Sequence, residues 1–232
     1  MTRGRKDITL KRLSSLLFGG SCFLCRGAAP DVLCAACDAD LPRLSAPLCP
    51  RCALASPGGA LCGRCLAAPP HYDATVAALA YAFPADVLIH ALKFRGELAL
   101  APLFAGILSQ RISRSERIDL VVPVPLSAQR LRGRGYNQSA EIARRLAQRA
   151  PLELFLCERS RDTAAQTDLP WSERQRNVRG AFRCARSISG TVAVVDDVMT
   201  TGATLNEIAL VLKRAGAGRV VNWVVARTFI EA

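Results

Sequence analysis

The chain has 232 residues, half of them hydrophobic and 22% charged, which allows one large domain or a core domain with a small module and excludes intrinsic disorder. Its formal net charge of +12 points to anionic partners: nucleic acid, a membrane surface or phosphorylated metabolites. No stretch is both long enough and free enough of charge to span a bilayer, which excludes a membrane-spanning helix and leads us to expect a cytoplasmic protein.

Residues 1–21 carry Arg3, Arg5, Lys6, Lys11 and Arg12 ahead of an apolar patch at Leu13, Leu16, Leu17 and Phe18. The order imitates an export signal with a lipoprotein-type Cys22. However, Ser14 and Ser15 interrupt the patch, it is shorter than an export signal needs, and Cys22 already has a metal-site partner in Cys25. A short amphipathic helix is expected there. Four C-x-x-C pairs follow: Cys22 and Cys25, Cys34 and Cys37, Cys49 and Cys52, Cys62 and Cys65. Each pair offers two sulfurs from one tight turn, and two such turns complete a tetrahedral four-cysteine zinc site. Without an export signal a disulfide framework is disfavoured, and a redox C-x-x-C would not come in four copies.

Two structural zinc ions are therefore expected in residues 22–70, and their thiolates lower the formal charge from +12 to about +8. Sequential pairing closes the shortest loops, with a crossed arrangement left open. His71 is set aside because the sulfur sets are already complete. Few bulky apolar residues lie between Cys22 and Cys65, so metal must replace a hydrophobic core. Basic residues are sparse in this module (Arg26, Arg43, Arg51, Arg64), which weakens a role for it alone in gripping nucleic acid.

Ala67, Ala68, Pro69 and Pro70 mark a linker into residues 71–232. A strand is expected over 74–81, a helix from Pro84 through Lys93 stopped by Gly96, and a helix over 97–112 bent near Pro102. A strand over 120–124 runs into Pro125. Beyond it Arg130, Arg132, Gly133, Arg134, Gly135, Tyr136, Asn137 and Gln138 form a stretch dense in guanidinium and glycine. It leads into a helix with Ile142, Ala143, Leu146 and Ala147 on one face. Arginine forks match phosphate oxygens, and glycines allow close approach. A Rossmann fingerprint lacks its third glycine; an RGG-like nucleic-acid contact stays open.

A strand over 152–156 is followed by a polar stretch holding Arg159, Arg161, Arg174, Arg176 and Arg179, and a loop that long is expected to act as a lid or binding loop. Trp171 and Trp223 are expected to pack rather than to function.

Residues 192–205, VAVVDDVMTTGATL, carry the sharpest chemistry. A buried strand delivers Asp196 and Asp197 to its C-terminal end, the ligand-binding edge of an open α/β sheet. The small residues after it let backbone N–H groups approach an anion at a helix N-terminus. Carboxylates suit hydroxyls or a metal ion, and N–H groups suit phosphate. No Gly-Lys-Ser/Thr follows, so a Walker P-loop is excluded. The helix continues through Leu205, Ile208, Ala209 and Leu212 to Gly216, and a strand over 220–226 closes the chain. Alternating strands and helices argue for a parallel sheet.

This stretch resembles the phosphoribosyl pyrophosphate (PRPP) signature of type I phosphoribosyltransferases. With IHALKFRGE (residues 89–97), VPVPLSAQRLRGRGYNQ (122–138) and the arginine spacing of 161–182, the whole chain resembles the ComF family. The resemblance implies an α/β type I phosphoribosyltransferase fold, a parallel sheet flanked by helices, behind an N-terminal double zinc ribbon. It also implies that Asp196 and Asp197 take the ribose hydroxyls, and that Thr200, Thr201, Gly202, Ala203 and Thr204 wrap the 5′-phosphate. Val124, Pro125, Leu126 and Ser127 would form the pyrophosphate loop, with Mg²⁺ accompanying PRPP. Arg130, Arg132 and Arg134 would assist that loop, and Arg161 and Arg174 would belong to the lid. Two functions follow: a phosphoribosyltransferase acting on PRPP or a related ribose phosphate, linked to DNA uptake, or a non-catalytic accessory that contacts single-stranded DNA and DNA-uptake proteins. No residue names the acceptor.

Overall fold

The computed structural model describes residues 20–45, 47–113, 115–148, 150–159 and 178–229. Most of the basic segment, Trp171, Arg161 and Arg174 lie outside the described residues. The chain divides into two compact units, residues 1–42 and 43–232. Among its described residues the first holds Cys22, Cys25, Cys34 and Cys37 and a short helix, α1 (Ala35–Ala39). The second begins with the segment bearing the remaining four ribbon cysteines, which includes a 3-10 turn (Pro57–Gly59) and α2 (Gly63–Ala67). It continues with β1 (Ala74–Ala80), α3 (Ala85–Phe94), α4 (Leu100–Arg111), β2 (Leu120–Pro123), α5 (Ala128–Arg134) and α6 (Gln138–Leu146). Its later described elements are β3 (Cys157–Arg159), β4 (Phe182–Cys184), β5 (Thr191–Met199), α7 (Ala203–Arg214) and β6 (Arg219–Arg227).

Four strands form a parallel sheet in the order β1-β6-β5-β2. β5 and β6 are central, so their side chains need cover on both faces, and both read as largely apolar runs. Alternate residues divide the core. Val122, Val192, Val194, Val220 and Val224 share one buried cluster with Leu205, Ile208, Ala209 and Leu212 of α7. α4 and α6 pack against each other and against the strands. The class expected from the sequence, an α/β fold with a helix-flanked parallel sheet and an N-terminal region bearing two four-cysteine clusters, is the one observed.

Two local expectations are corrected, and one stretch whose conformation the sequence left open is defined. The helix expected over 97–112 starts at Leu100, which places Pro102 in its first turn, where a missing N–H leaves no hydrogen bond broken and no bend arises. Residues 152–156 do not form a strand. They lie beside β2 only through a bridge at Leu152, in which Val121 N donates to Pro151 O and Glu153 N donates to Val121 O. The arginine-glycine stretch is helical, capped at its start by Ser127, whose side chain accepts from Arg130 N, and ended by Gly135 at φ 81. Trp223 packs fully buried in β6, as expected.

Candidate functional site

The C-terminal end of β5 carries two carboxylates with different surroundings. Asp196 is 9% exposed and accepts from Ser139 Oγ at 3.0 Å and from Asp197 N at 3.0 Å, both on Oδ1. Ser139 reaches it because α6 starts at the same sheet edge, with Asn137 as its cap: the Asn137 side chain accepts from Ser139 N and Ala140 N and donates to Val124 O at 2.9 Å. One side chain thus ties the loop after β2 to the helix that touches the carboxylates. Asp197 pairs through Oδ1 with Lys93 Nζ, 3.1 Å away at the end of α3. Its Oδ2 is buried with no hydrogen-bond partner in the described structure. A buried, unpartnered carboxylate oxygen is costly unless a donor or cation completes it. The donor set fits ribose hydroxyls or a hard, oxygen-seeking cation such as Mg²⁺.

Burial first, and then the neighbouring Asp197 charge, push Asp196 up to about 7, against the opposing pull of Lys93 and Ser139. A folded-state value above the ordinary carboxylate value of about 4 means that the folded protein holds the proton more tightly than the unfolded chain. The stabilisation is fully present below about pH 4 and is lost as pH rises through about 7. Thermal melts at pH 5 and pH 8 should therefore show a wild-type loss of a few kcal/mol that Asp196→Asn lacks. Equal pH slopes in the two proteins would refute the assignment.

The loop that follows is held from behind. Gly202 sits at φ 83 as the residue before α7, and a Cβ there would lie 2.7 Å from Met199 Cε and 3.0 Å from Tyr72 Oη. Glycine is required both for the backbone and for the close approach. Thr201 is buried, and its Oγ1 accepts from Ala203 N at 3.0 Å. Arg227, fully buried at the end of β6, donates through Nη1 to the carbonyls of Met199, Thr200 and Thr228, and through Nε to Cys52 O at 2.9 Å. Arg64 Nη2 donates to Thr201 O at 2.9 Å. Both arginines fix carbonyls on the loop, which leaves the amide side of the same peptides for a ligand.

A cavity of about 700 Å³ opens beside this loop, its lining including Thr201, Asn206, Arg64, Arg179 and Arg214. Arg134, in the basic stretch, is within reach of the Asp197 charge. Burial lowers its pKa while the Asp197 charge opposes that shift. Its guanidinium donates to Gln138 Oε1 and lies 5.0 Å above the Phe94 ring. Tyr136 Oη donates to Leu92 O, which joins the stretch to the end of α3. Arg132 and Arg130 lie on the same helix, Arg132 exposed. Val124 is buried and donates its N–H to Val195 O at 2.9 Å, and Ser127 is buried as the α5 cap. Pro125 and Leu126 complete the short loop between β2 and α5.

The cysteines form two clusters, Cys22, Cys25, Cys34 and Cys37, and Cys49, Cys52, Cys62 and Cys65, each with its sulfurs within 4.8 Å of one another. Pairing is sequential and His71 belongs to neither. Cys25 and Cys34 sulfurs stand 3.7 Å apart, Cys52 and Cys62 sulfurs 3.6 Å, close to the edge of about 3.8 Å of a tetrahedron with Zn–S bonds of about 2.3 Å. Against the effect of burial, backbone N–H groups bring Cys22 and Cys49 down to about 6. Cys37 goes up to about 12 through its hydrogen bond to Cys34 and through burial. Thiolates so close repel one another unless a cation lies among them, so both sets fit a structural zinc ion.

Residues 13–66 match the Double zinc ribbon domain family. The chain is 36% identical over 222 residues to the DNA utilization protein YhgH of Salmonella typhimurium, covering 90% of this chain and 97% of that protein. It is 31% identical over 231 residues to Competence protein F of Haemophilus influenzae, covering 90% of this chain and 98% of that protein. The chain belongs to the ComF family. A third ComF-type relative, Competence protein ComFC of Streptococcus pneumoniae, is 31% identical over 136 residues, 58% of this chain and 60% of that protein.

In this ComF protein the fold gathers Asp196, Asp197, the 200–204 loop and the 124–127 loop at one sheet edge. Sequence reasoning assigned no role to Lys93, Ser139, Arg227 or Arg64. Lys93 had a signal, since it lies in the IHALKFRGE stretch at the last turn of a helix directed at the strand ends. Arg227 had another: an arginine closing an otherwise apolar strand must find buried acceptors. Among the described residues no helix is long and apolar enough to cross a membrane.

Proposed function

We propose that this protein binds PRPP with Mg²⁺ at the end of β5 and acts in a competence-related process that handles incoming DNA. The observation that carries the first part is the buried Asp196–Asp197 pair with its unpartnered Asp197 Oδ2, adjoining a loop whose carbonyls are tied back by Arg227 and Arg64. Ribose hydroxyls would donate to the two carboxylates, and the 5′-phosphate would lie against the N–H groups of residues 200–204 at the start of α7. The loop of residues 124–127 and Arg134 would face the pyrophosphate, where Mg²⁺ would offset its charge. Lys93 would shift from Asp197 when ligand arrives, so its ammonium keeps the pair from standing uncompensated in the free protein. The relatives named for competence and DNA utilisation support the second part.

Transfer of the phosphoribosyl group would require no covalent nucleophile. The chain's task would be to hold the ribose, orient it and exclude water while the bond to pyrophosphate breaks. Calorimetry with PRPP and Mg²⁺ tests the reading. Wild type should bind, and Asp196→Asn combined with Asp197→Asn should weaken binding at least about tenfold, the loss of roughly one charge-assisted hydrogen bond. Circular dichroism should show the variant folded. No heat from the wild type would sink the proposal.

A further inference from the structure

Two cysteines stand outside the eight ribbon ligands. Cys157 lies in β3 and Cys184 in β4, and in the antiparallel register of these strands they face each other directly. The neighbouring pair is hydrogen-bonded, with Ala185 N donating to Leu156 O at 2.8 Å. Pairs alternate along an antiparallel ladder, so Cys157 and Cys184 form a non-hydrogen-bonded pair, the kind whose Cα atoms approach to about 4.5 Å with side chains on one face. That spacing falls inside the range of roughly 4.4–6.8 Å that a disulfide spans without backbone movement. Cys184 Sγ donates to the Arg186 carbonyl at 3.2 Å. Both are free in this structure.

We infer that Cys157 and Cys184 are an oxidisable pair that forms an intramolecular disulfide across the β3–β4 ribbon. The placement gives the bond a consequence. It would close residues 157–184 into a covalent loop, tying together the two ends of the arginine-rich stretch that contains Arg161 and Arg174. The ribbon also rests on α7, since Cys157, Phe182 and Ala181 share the buried cluster with Leu205 and Ile208, and Gly180 N donates to Glu207 Oε1 at 2.7 Å.

The two thiols differ in access, which sets the order of events. Cys157 is 2% exposed, and burial, with the Cys184 sulfur beside it, pushes its thiol up to about 12. Cys184 is partly exposed and flanked in sequence by Arg183 and Arg186. Cys184 is therefore the thiol that meets an oxidant, a low-molecular-weight disulfide such as glutathione disulfide. Its thiolate attacks one sulfur, releases one glutathione thiolate and forms a mixed disulfide. Cys157 then gives up its proton and attacks the Cys184 sulfur, releasing the second glutathione. Two cysteine thiols are oxidised, one glutathione disulfide is reduced, and two protons leave with the products.

The test uses the full chain loaded with zinc, held in glutathione redox buffers and quenched with acid. Intact mass should fall by two hydrogens with the zinc content unchanged, and peptide mapping should join Cys157 to Cys184. Cys157→Ser should carry a single glutathione on Cys184, and Cys184→Ser should carry none. The oxidised wild type should melt roughly 5 °C or more above the reduced form, because the closed loop restricts the unfolded chain. A stable glutathione adduct on wild-type Cys184, a bond to any ribbon cysteine, no reaction, or a lower melting point after oxidation would each overturn the inference. It stands or falls independently of PRPP binding, which the reduced protein tests alone.

Discussion

Arg227→Leu is expected to destabilise the sheet unit by on the order of 3–5 kcal/mol and to weaken PRPP binding in the fraction that remains folded. The guanidinium is wholly buried and supplies hydrogen bonds to the carbonyls of Cys52, Met199, Thr200 and Thr228. Leucine fills much of the volume and provides none of them, so the Cys52, Thr200 and Thr228 carbonyls lose this donor while Met199 O keeps Thr228 N at 3.1 Å. The charge matters too. Burial lowers the Arg227 pKa, opposed first by the Cys52 side chain. Four thiolates around one Zn²⁺ would leave about −2, and Arg227, whose charged form the Cys52 and Cys62 side chains favour, is a cation placed to offset it. Urea or thermal unfolding reads the stability loss, and calorimetry reads the affinity. Arg227→Lys keeps a charge without the planar fork and should recover only part of either. A leucine variant that melts and binds like wild type would show that the loop needs no brace.

How much of this was legible in the residues follows from how local each signal is. The strand, carboxylate pair, loop and helix of residues 192–214 could be read because a central parallel strand must be apolar throughout, and because a tight turn onto a helix needs small residues in sequence. The sequential zinc sets could be read because each knuckle is four residues long. The brace could not. Cys52 and Arg227 are 175 residues apart, and nothing in either neighbourhood names the other. The conformation of the arginine-glycine stretch was hidden for a different reason: glycine and clustered like charges both argue against a helix, yet the Ser127 cap at one end and Gly135 at the other define a short one. Residues 152–156 carry strand-type residues, but Pro151 and the single bridge to Val121 leave them beside the sheet rather than in it. Lys93 carried a signal in its own stretch, but which carboxylate it meets depends on where α3 ends relative to β5.

Loss of the second zinc site should cost more than loss of Arg227, and loss of the first should leave the sheet unit standing. The second cluster lies in the same compact unit as the sheet. Its segment is joined to β1 by Leu44 N donating to Ala78 O at 3.0 Å and Thr75 N donating to Pro50 O at 3.0 Å, and to the loop after β5 through Arg64 and through Arg227, which holds Cys52 O. Structural zinc contributes apparent folding free energies of roughly 10–16 kcal/mol in small zinc-finger peptides, which is comparable with the whole stability of an ordinary domain. Cys52→Ser should therefore lose one zinc by elemental analysis, together with the cooperative melt of the sheet unit and PRPP binding. Cys25→Ser should also lose one zinc while keeping both, because its cluster belongs to the other compact unit. Equal damage from the two variants would mean that the units do not fold separately. A Cys52→Ser protein that still melts cooperatively and binds PRPP would mean that the ribbon segment is held by its hydrogen bonds and packing alone, with the metal adding little.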